Sequence, residues 1–230
     1  MGLVVVAGQG RWSPDGAVND DLRQRAVVAR DEGHFVELTG DCRITTLEQL
    51  EDGAGTWRLE LHAGTEATLY HDGFAVDAFL AEGELSHGAS SWPRLGFRRF
   101  APRTVVTMAS RAGATLWLKA RSLPVWQRRS LSVDRPDFDV GHPSGIDLCE
   151  LSPAAQARVV LLRFAPGCVL GWHEHERGEE LVVVEGCLHD DRGVYRVGSW
   201  VRQPAGSGHE VKSPEGCILY THSGHLPRGI

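Results

Sequence analysis

The sequence lacks several features that would assign a function directly, and each absence excludes a class. It has only five cysteines, an odd number without a C-x2-C pair, so it carries neither a disulfide framework nor a zinc ribbon. We therefore expect free thiols, as in a reducing cytoplasm. The formal net charge of −6 lacks the basic excess that nucleic-acid binding demands.

Membrane and export signals are also missing from the sequence. No apolar run approaches the roughly 20 residues of a membrane-spanning helix. The short apolar run at the start has no positive residue before Arg11, unlike a secretory signal. We expect a cytoplasmic protein with no nucleic-acid and no membrane partner.

What the sequence does contain is a set of histidines and a glutamate at fixed offsets, punctuated by glycines and a proline. His173, His175 and Glu179 come first, and His209 follows a P-A-G-S-G turn. Because side chains alternate faces along a strand, His173 and His175 share one face, to which Glu179 returns after a short turn. Neutral imidazole nitrogens with one carboxylate oxygen suit a first-row divalent ion. The spacing predicts a metal site formed by these four residues.

These two stretches resemble the paired motifs of the cupin superfamily. Gly167 to Gly186 matches G-x5-H-x-H-x3-E-x6-G, and Gly198 to Ser213 matches G-x5-P-x-G-x2-H-x3-N except that serine replaces the final asparagine, which is not a ligand in the pattern. Over about residues 125–225 the chain is similar to one branch of that superfamily. This branch contains the cupin domain of the ChrR anti-sigma factors and small dioxygenases that cleave ketones and diketones. The resemblance implies a double-stranded β-helix, or jelly-roll, barrel.

Residues matched at one interval indicate an internal duplication. The pairs 103 residues apart are Gly64 with Gly167, Gly83 with Gly186, Ser110 with Ser213, Gly113 with Gly216, and Trp117 with Tyr220. Across this register the predicted ligands His173, His175, Glu179 and His209 fall opposite Tyr70, Asp72, Val76 and Val106 or Thr107, with His71 expected to turn away. A single carboxylate is not a metal site. The N-terminal copy is therefore predicted to keep the fold without a metal.

The predicted fold class is all-β, with two tandem cupin barrels built from short strands that alternate with turn sequences. We expect an N-terminal extension of unknown role at residues 1–40, a degenerate cupin domain without a metal site at 41–122, and a metal-binding cupin domain at 123–230. Residues 18–31 are predicted to form one short helix after an Asn or Asp cap.

The four predicted ligands indicate which cofactor to expect but do not identify the other residues of the site. Iron, manganese and nickel prefer five or six ligands, which leaves positions for substrate and dioxygen, whereas zinc is satisfied by four. We expect one divalent transition metal per chain, Fe(II) first and Zn, Mn or Ni as alternatives. No nucleophile elbow or phosphate loop is present, so no catalytic residue is assigned beyond the ligands. Five residues lie close in sequence to the ligand strands and either line a substrate cavity or simply pack in the barrel: Trp172, Tyr195, Trp200, Arg202 and Tyr220. His222 and His225 are expected to be solvent-exposed.

Two functions of different classes follow from the ligand set and the resemblance. The first is a mononuclear non-heme metal dioxygenase acting on a small ketone, diketone or related oxygenated compound. The second is a non-catalytic, ChrR-like sensor or regulatory protein, although the chain lacks the H-x3-C-x2-C zinc motif of the ChrR sigma-factor contact domain. An isomerase or decarboxylase on the same metal is a third option, since one fold hosts many reactions. The expected partners are a small-molecule substrate or effector and, from unpaired strand edges, a second copy in a homodimer.

Overall fold

A computed structural model of the chain describes residues 2–38, 40–152 and 157–227. The first fourteen strands are β1 (Leu3–Ala7), β2 (Gly10–Trp12), β3 (Ala26–Val28), β4 (His34–Leu38), β5 (Cys42–Gln49), β6 (Gly55–Leu61), β7 (Glu66–His71), β8 (Ala75–Gly83), β9 (Leu85–His87), β10 (Ser90–Trp92), β11 (Phe97–Phe100), β12 (Val105–Ala109), β13 (Ala114–Arg121) and β14 (Leu131–Val133). The other eight are β15 (Ile146–Ser152), β16 (Arg158–Phe164), β17 (Cys168–His175), β18 (Glu179–Asp190), β19 (Gly193–Arg196), β20 (Trp200–Gln203), β21 (Ser207–Ser213) and β22 (Cys217–Ser223).

The all-β class predicted from the sequence is confirmed. Within the described residues the only helix is a single 3₁₀ turn at Val125–Gln127. Every strand pairing is antiparallel, as expected where short connections join neighbouring strands. No helix in the described part of the chain has the length and apolar character needed to cross a membrane. All five cysteines are free thiols, as predicted.

The chain divides into two compact units whose residue ranges alternate near the N-terminus. The first consists of Met1–Asp20 with Gly33–Arg135, and the second of Asp21–Glu32 with Pro136–Ile230. The segment treated in the sequence as an extension is therefore shared: β1, β2 and β4 belong to the first unit and β3 to the second.

The first unit is formed by two antiparallel sheets. One has the order β10-β9-β12-β7-β1-β2 and the other β14-β11-β8-β13-β6-β5-β4. Apolar side chains of both sheets meet in one core, which includes Leu3 and Met108 from one sheet and Trp57 and Leu80 from the other. Packing the two inner faces against each other removes these side chains from water, which is the main stabilising contribution to such a sandwich.

The second unit repeats this arrangement. One sheet runs β15-β16-β22-β18-β20-β3, and β17, β21 and β19 form a second layer through pairing with each other and with β18. The twelve-residue strand β18 takes part in both layers. The apolar core includes Phe164, Val183, Val211 and Leu219. Val211 of β21 belongs to this core, and Cys168 and Leu170 of β17 pack against it. The three predicted histidine ligands lie on the same two strands.

The predicted duplication is visible in the backbone of both units. Gly83 and Gly186 both have positive φ values, +80° and +66°. A Cβ at Gly83 would lie 2.1 Å from the carbonyl oxygen of Gly113, and a Cβ at Gly186 would lie 2.0 Å from that of Gly216. Only glycine satisfies both the dihedral angle and the close approach, so the matched glycines mark the same backbone crossing in two tandem barrels.

The helix predicted over residues 18–31 is wrong. Within that stretch Ala26–Val28 forms β3, which pairs with β20 so that Val28 lies opposite Trp200. The carbonyl oxygens of Asp21 and Gln24 accept hydrogen bonds from the guanidinium of Arg202. Hydrogen bonds to the edge of a sheet replace the local hydrogen bonds that a helix would make. Local sequence signals cannot predict this pairing because its partner strand is distant in sequence.

Candidate metal centre

The ligand strands β17 and β21 bring the histidines together by strand alternation and cross-strand pairing. His173 and His175 lie two residues apart on β17 and face the same side, as predicted, and His209 on β21 is the direct cross-strand partner of His173. Between Leu170 and His173 the register shifts at a β-bulge. Bulges re-aim the side chains that follow them, and this one turns the two histidines of β17 inward.

The three imidazoles form a compact cluster. Their ligand nitrogens all lie within 4.8 Å of one another, and the ring centroids are 4.7 to 5.0 Å apart. Nε2 of His175 is 3.1 Å from Nε2 of His209. Two lone pairs at this separation repel unless a proton or a cation lies between them. In the described part of the chain this is the only group of three or more such ligands close enough to hold a metal ion.

Burial keeps two of the three imidazoles, those of His175 and His209, neutral and therefore able to donate a lone pair. His175 and His209 are buried, whereas His173 is half-buried. Burial, reinforced by the neighbouring imidazoles, lowers the pKa of His175 to about 4. Burial also lowers the pKa of His209. Metal ligands must be deprotonated, so at neutral pH His175 and His209 are already in the state that a cation requires.

Glu179, the fourth predicted ligand, lies beside the cluster without belonging to it. It is the first residue of β18, and its Oε2 is 3.8 Å from Nδ1 of His175. The mutually close ligand atoms are those of the three histidines. Burial raises the pKa of Glu179 to about 8, since an isolated carboxylate loses hydration away from water. A cation nearby would favour the ionised form of this carboxylate.

Hydrogen bonds to the second ring nitrogen orient two of the three imidazoles. Nδ1 of His173 lies 3.1 Å from the carbonyl oxygen of Gly171, to which it can donate. Nδ1 of His209 lies 3.4 Å from Oδ2 of Asp190 and 3.2 Å from the side-chain amide of Gln203. An acceptor at Nδ1 leaves the Nε2 lone pair for a metal ion.

Asp190 and Gln203 were not identified from the sequence. Asp190 stands in the D-D-R-G turn, whose composition signals a turn and gives no sign that a carboxylate points inward. Its side chain is fully buried. Although burial by itself raises the pKa of Asp190, hydrogen bonds from Tyr195 and the backbone of Arg192 lower it overall. Asp190 is therefore an ionised carboxylate next to a candidate metal ligand.

The residues considered as cavity walls have other roles. Trp172 is 69% exposed, and its indole lies against Gly208, where a Cβ would come within 2.8 Å of the ring. Tyr195 donates to Asp190 over 2.6 Å. Arg202, considered as a receptor for an anionic substrate group, is 1% exposed and binds backbone carbonyls of the N-terminal segment. Its guanidinium is a structural anchor.

The expectation that His222 and His225 are solvent-exposed is wrong. Nε2 of His222 lies 2.7 Å from the hydroxyl of Tyr220, and Nε2 of His225 lies 2.8 Å from Oε1 of Glu180. Oε2 of Glu180 also accepts a hydrogen bond from the Trp200 indole. Both histidines are buried in this polar network. This acidic partner was not visible in the sequence because Glu180 lies 45 residues from His225.

The bulge in β17 also corrects the predicted register between the two copies. In the first unit Leu69 is the cross-strand partner of Val106, as His173 is of His209 in the second. His173 therefore takes the place of Leu69, one residue away from the predicted Tyr70. A fixed interval cannot detect one inserted residue. Two of the three histidine positions are thus occupied in the first unit by side chains without a donor atom.

The third position holds His71, where the sequence placed Asp72. The N–H of Arg103 donates to the carbonyl of His71, as the N–H of Gly206 does to that of His175. His71 is therefore the counterpart of His175, and it faces inward, contrary to prediction.

Both ring nitrogens of His71 have backbone partners. Nδ1 accepts from the N–H groups of Gly73 and Phe74, over 3.2 and 3.0 Å, and Nε2 donates to the carbonyl of Gly53 over 3.2 Å. This imidazole fixes a turn in the first barrel.

Comparison with known proteins finds a family model that matches the C-terminal part of the chain. Residues 132–227 match the family model described as the ChrR cupin-like domain. No curated protein sequence matches the chain significantly.

Solved structures resemble the chain over most of its length. A candidate dioxygenase from Nostoc punctiforme superposes with a TM-score of 0.70 at 12% identity, covering 90% of this chain and 88% of that one. Protein YlbA from E. coli gives 0.69 at 14% identity, covering 94% and 97%. An oxalate decarboxylase gives 0.59 at 12% identity, covering 89% and 78%. At these identities the likeness establishes the fold.

Proposed function

We propose that this chain is a member of the cupin superfamily and acts as a mononuclear non-heme metal dioxygenase on a small ketone, diketone or related oxygenated compound. The observation that carries the proposal is the cluster of three imidazoles whose ligand nitrogens lie within 4.8 Å of one another. Its similarity in fold to a candidate dioxygenase supports the choice of reaction class.

The donor set fits a divalent first-row metal. Three neutral imidazoles suit iron, zinc, nickel or copper better than calcium or magnesium, which prefer oxygen. His173, His175 and His209 would hold the ion, and Glu179, at the edge of the cluster, would supply the fourth ligand. Fe(II) is our first choice because it accepts six ligands, leaving positions for two substrates.

The bound ion would supply Lewis acidity to a chelating dicarbonyl and a template for dioxygen. The chain's own residues do the rest. His175 and His209 are buried and held in place, whereas the half-buried His173 marks the side that meets solvent. Val211, two residues from His209 on the same face, belongs to the apolar core. Apolar side chains next to a metal site favour a small organic substrate over a highly charged one.

A non-catalytic regulatory role is the second candidate. It is supported by the match of residues 132–227 to the ChrR cupin-like family model. In that case the same cluster would bind a metal without turning over a substrate.

Oxygen consumption distinguishes the two candidates. Protein loaded anaerobically with Fe(II) is mixed with a β-diketone or a hydroxyketone in an oxygen electrode. For a diketone we expect one O2 consumed per substrate, giving a carboxylic acid and a 2-oxoaldehyde that together retain both oxygen atoms. The His173→Ala variant should be inactive, and His142→Ala, altered at an exposed histidine in the same unit, should match the wild type. An iron-loaded wild type that consumes no oxygen with either substrate class would favour the regulatory role.

A further inference from the structure

We infer that Asp190 and Arg25 are positioning residues for the metal ligand His209, so that the N-terminal segment 21–32 completes the metal centre. The inference rests on the proposed metal site and extends it to residues outside both sequence motifs. It assigns a role to a segment for which the sequence suggested none.

The carboxylate of Asp190 is held rigidly by one of its two oxygens. Oδ1 accepts hydrogen bonds from the backbone N–H groups of Arg192 and Gly193, over 2.8 and 2.9 Å, and from the Tyr195 hydroxyl over 2.6 Å. Three donors on one oxygen fix the plane of the carboxylate. The other oxygen, Oδ2, is thereby directed at Nδ1 of His209, 3.4 Å away.

This contact decides which nitrogen of His209 carries the proton. Asp190 receives three donors on Oδ1 and the Arg25 guanidinium on Oδ2, so it acts as an acceptor and favours the His209 tautomer with the proton on Nδ1. The Gln203 amide lies 3.2 Å from the same nitrogen and offers either a donor or an acceptor. A charged acceptor outweighs a neutral amide. The Nε2 lone pair then points into the cluster toward Nε2 of His175, 3.1 Å away.

Arg25 provides the positive charge that this buried carboxylate needs. Its Nη2 lies 3.5 Å from Oδ2 of Asp190 and in close contact with the Tyr195 hydroxyl, and its guanidinium lies 5.3 Å from the centre of the tyrosine ring. An ion pair with one partner removed leaves an uncompensated buried charge. Arg25 therefore maintains the orientation of Asp190 rather than contacting the ligand.

Arg25 reaches this position because the segment is built into the second unit. Ala26, the next residue, is the cross-strand partner of Arg202 in β20. The Arg202 guanidinium binds the carbonyls of Asp21 and Gln24. Strand pairing fixes the backbone after Arg25, and the hydrogen bonds from Arg202 to the carbonyls fix the backbone before it.

The Asp190→Asn variant tests this role in the full-length protein. If the three donors keep the oxygen of Asn at the Oδ1 position, its NH2 group faces Nδ1 of His209 and donates to it. The proton of His209 must then move to Nε2, inside the cluster. Nitrogen-15 NMR of the metal-free protein, labelled at histidine, should show His209 protonated at Nδ1 in the wild type and at Nε2 in Asp190→Asn. A purely structural role for Asp190 would not reverse the tautomer.

Metal affinity provides the second readout. Titration with Co(II), followed by its visible absorption, should show a Kd about 10- to 100-fold higher for Asp190→Asn, the usual effect of losing such a partner. Arg25→Met should show a smaller rise, with recovery in Arg25→Lys. The control is Arg23→Ala on the same segment, whose side chain is 80% exposed, and it should match the wild type.

The two readouts separate the failure of this inference from that of the proposed function. An unchanged His209 tautomer with a Kd within twofold of the wild type in a folded Asp190→Asn variant would overturn the positioning role. A wild type that binds no Co(II) would overturn the proposed metal site, while the tautomer measurement would still decide what Asp190 does.

Discussion

Replacing His209 by alanine is expected to abolish tight metal binding. His209 lies opposite His173 and 3.1 Å from His175 between ring nitrogens, so its loss opens the centre of the cluster. The two imidazoles that remain on one strand, with Glu179 at the edge of the cluster, do not enclose an ion. We expect the Kd for Co(II) or Fe(II) to rise by more than about 100-fold, beyond the usual loss from a supporting residue. Metal titration of the purified variant provides the measurement.

The matched control is His142→Ala, which removes a histidine whose ring contacts Ser144 in an exposed turn of the same unit. Its Kd should equal that of the wild type. A His209→Ala protein that folds and retains wild-type metal affinity would show that the cluster is not the binding site.

The second large effect concerns the glycines of the repeat. Gly186→Ala is expected to destabilise the protein by more than about 4 kcal/mol, the range reached only when a specific structural feature is broken. A Cβ there would lie 2.0 Å from the carbonyl oxygen of Gly216. Gly186 is paired with Cys217, the residue that follows Gly216, so this carbonyl cannot move away without disturbing the sheet. The free energy of unfolding from urea denaturation measures the loss.

Gly167→Ala separates this clash from the cost of the dihedral angle. Gly167 has a φ of +78°, close to the +66° of Gly186, but nothing lies within 4 Å of a Cβ added to it. Its replacement should cost only about 1–2 kcal/mol, the penalty of the left-handed conformation. Equal destabilisation by the two substitutions would contradict this explanation, because it would show that contact with the Gly216 carbonyl oxygen adds no cost at Gly186.

The grouping of the three histidines could be predicted from the sequence because strand geometry is local. Two histidines separated by one residue share a face in any regular strand, so His173 and His175 needed no tertiary information. His209 was brought to them by a turn whose proline and glycines are visible in the sequence. The predicted counterparts of these histidines in the first barrel were wrong, because one extra residue in the bulge before His173 changes which side chains face inward.

Contacts between residues distant in sequence were the part that could not be predicted. Asp190, at the end of β18, meets His209 of the neighbouring strand β21, and Arg25 joins them from a segment more than a hundred residues away. The helix expected at residues 18–31 had suitable local signals, but the edge of β20 offered Ala26–Val28 a hydrogen-bonding partner. His225 looked solvent-exposed because Glu180 was distant in sequence. In each case tertiary pairing determined the structure.

The most direct test of this account is the metal content of the wild-type protein, purified without added metal or nickel-affinity chromatography. Elemental analysis should find one divalent first-row transition metal per chain, bound by the second barrel, where the three imidazoles meet. Two metal ions per chain would contradict the assignment of the first barrel as a fold without a metal. No metal, with none taken up on titration with Fe(II), Mn(II), Ni(II) or Zn(II), would contradict the metal centre itself.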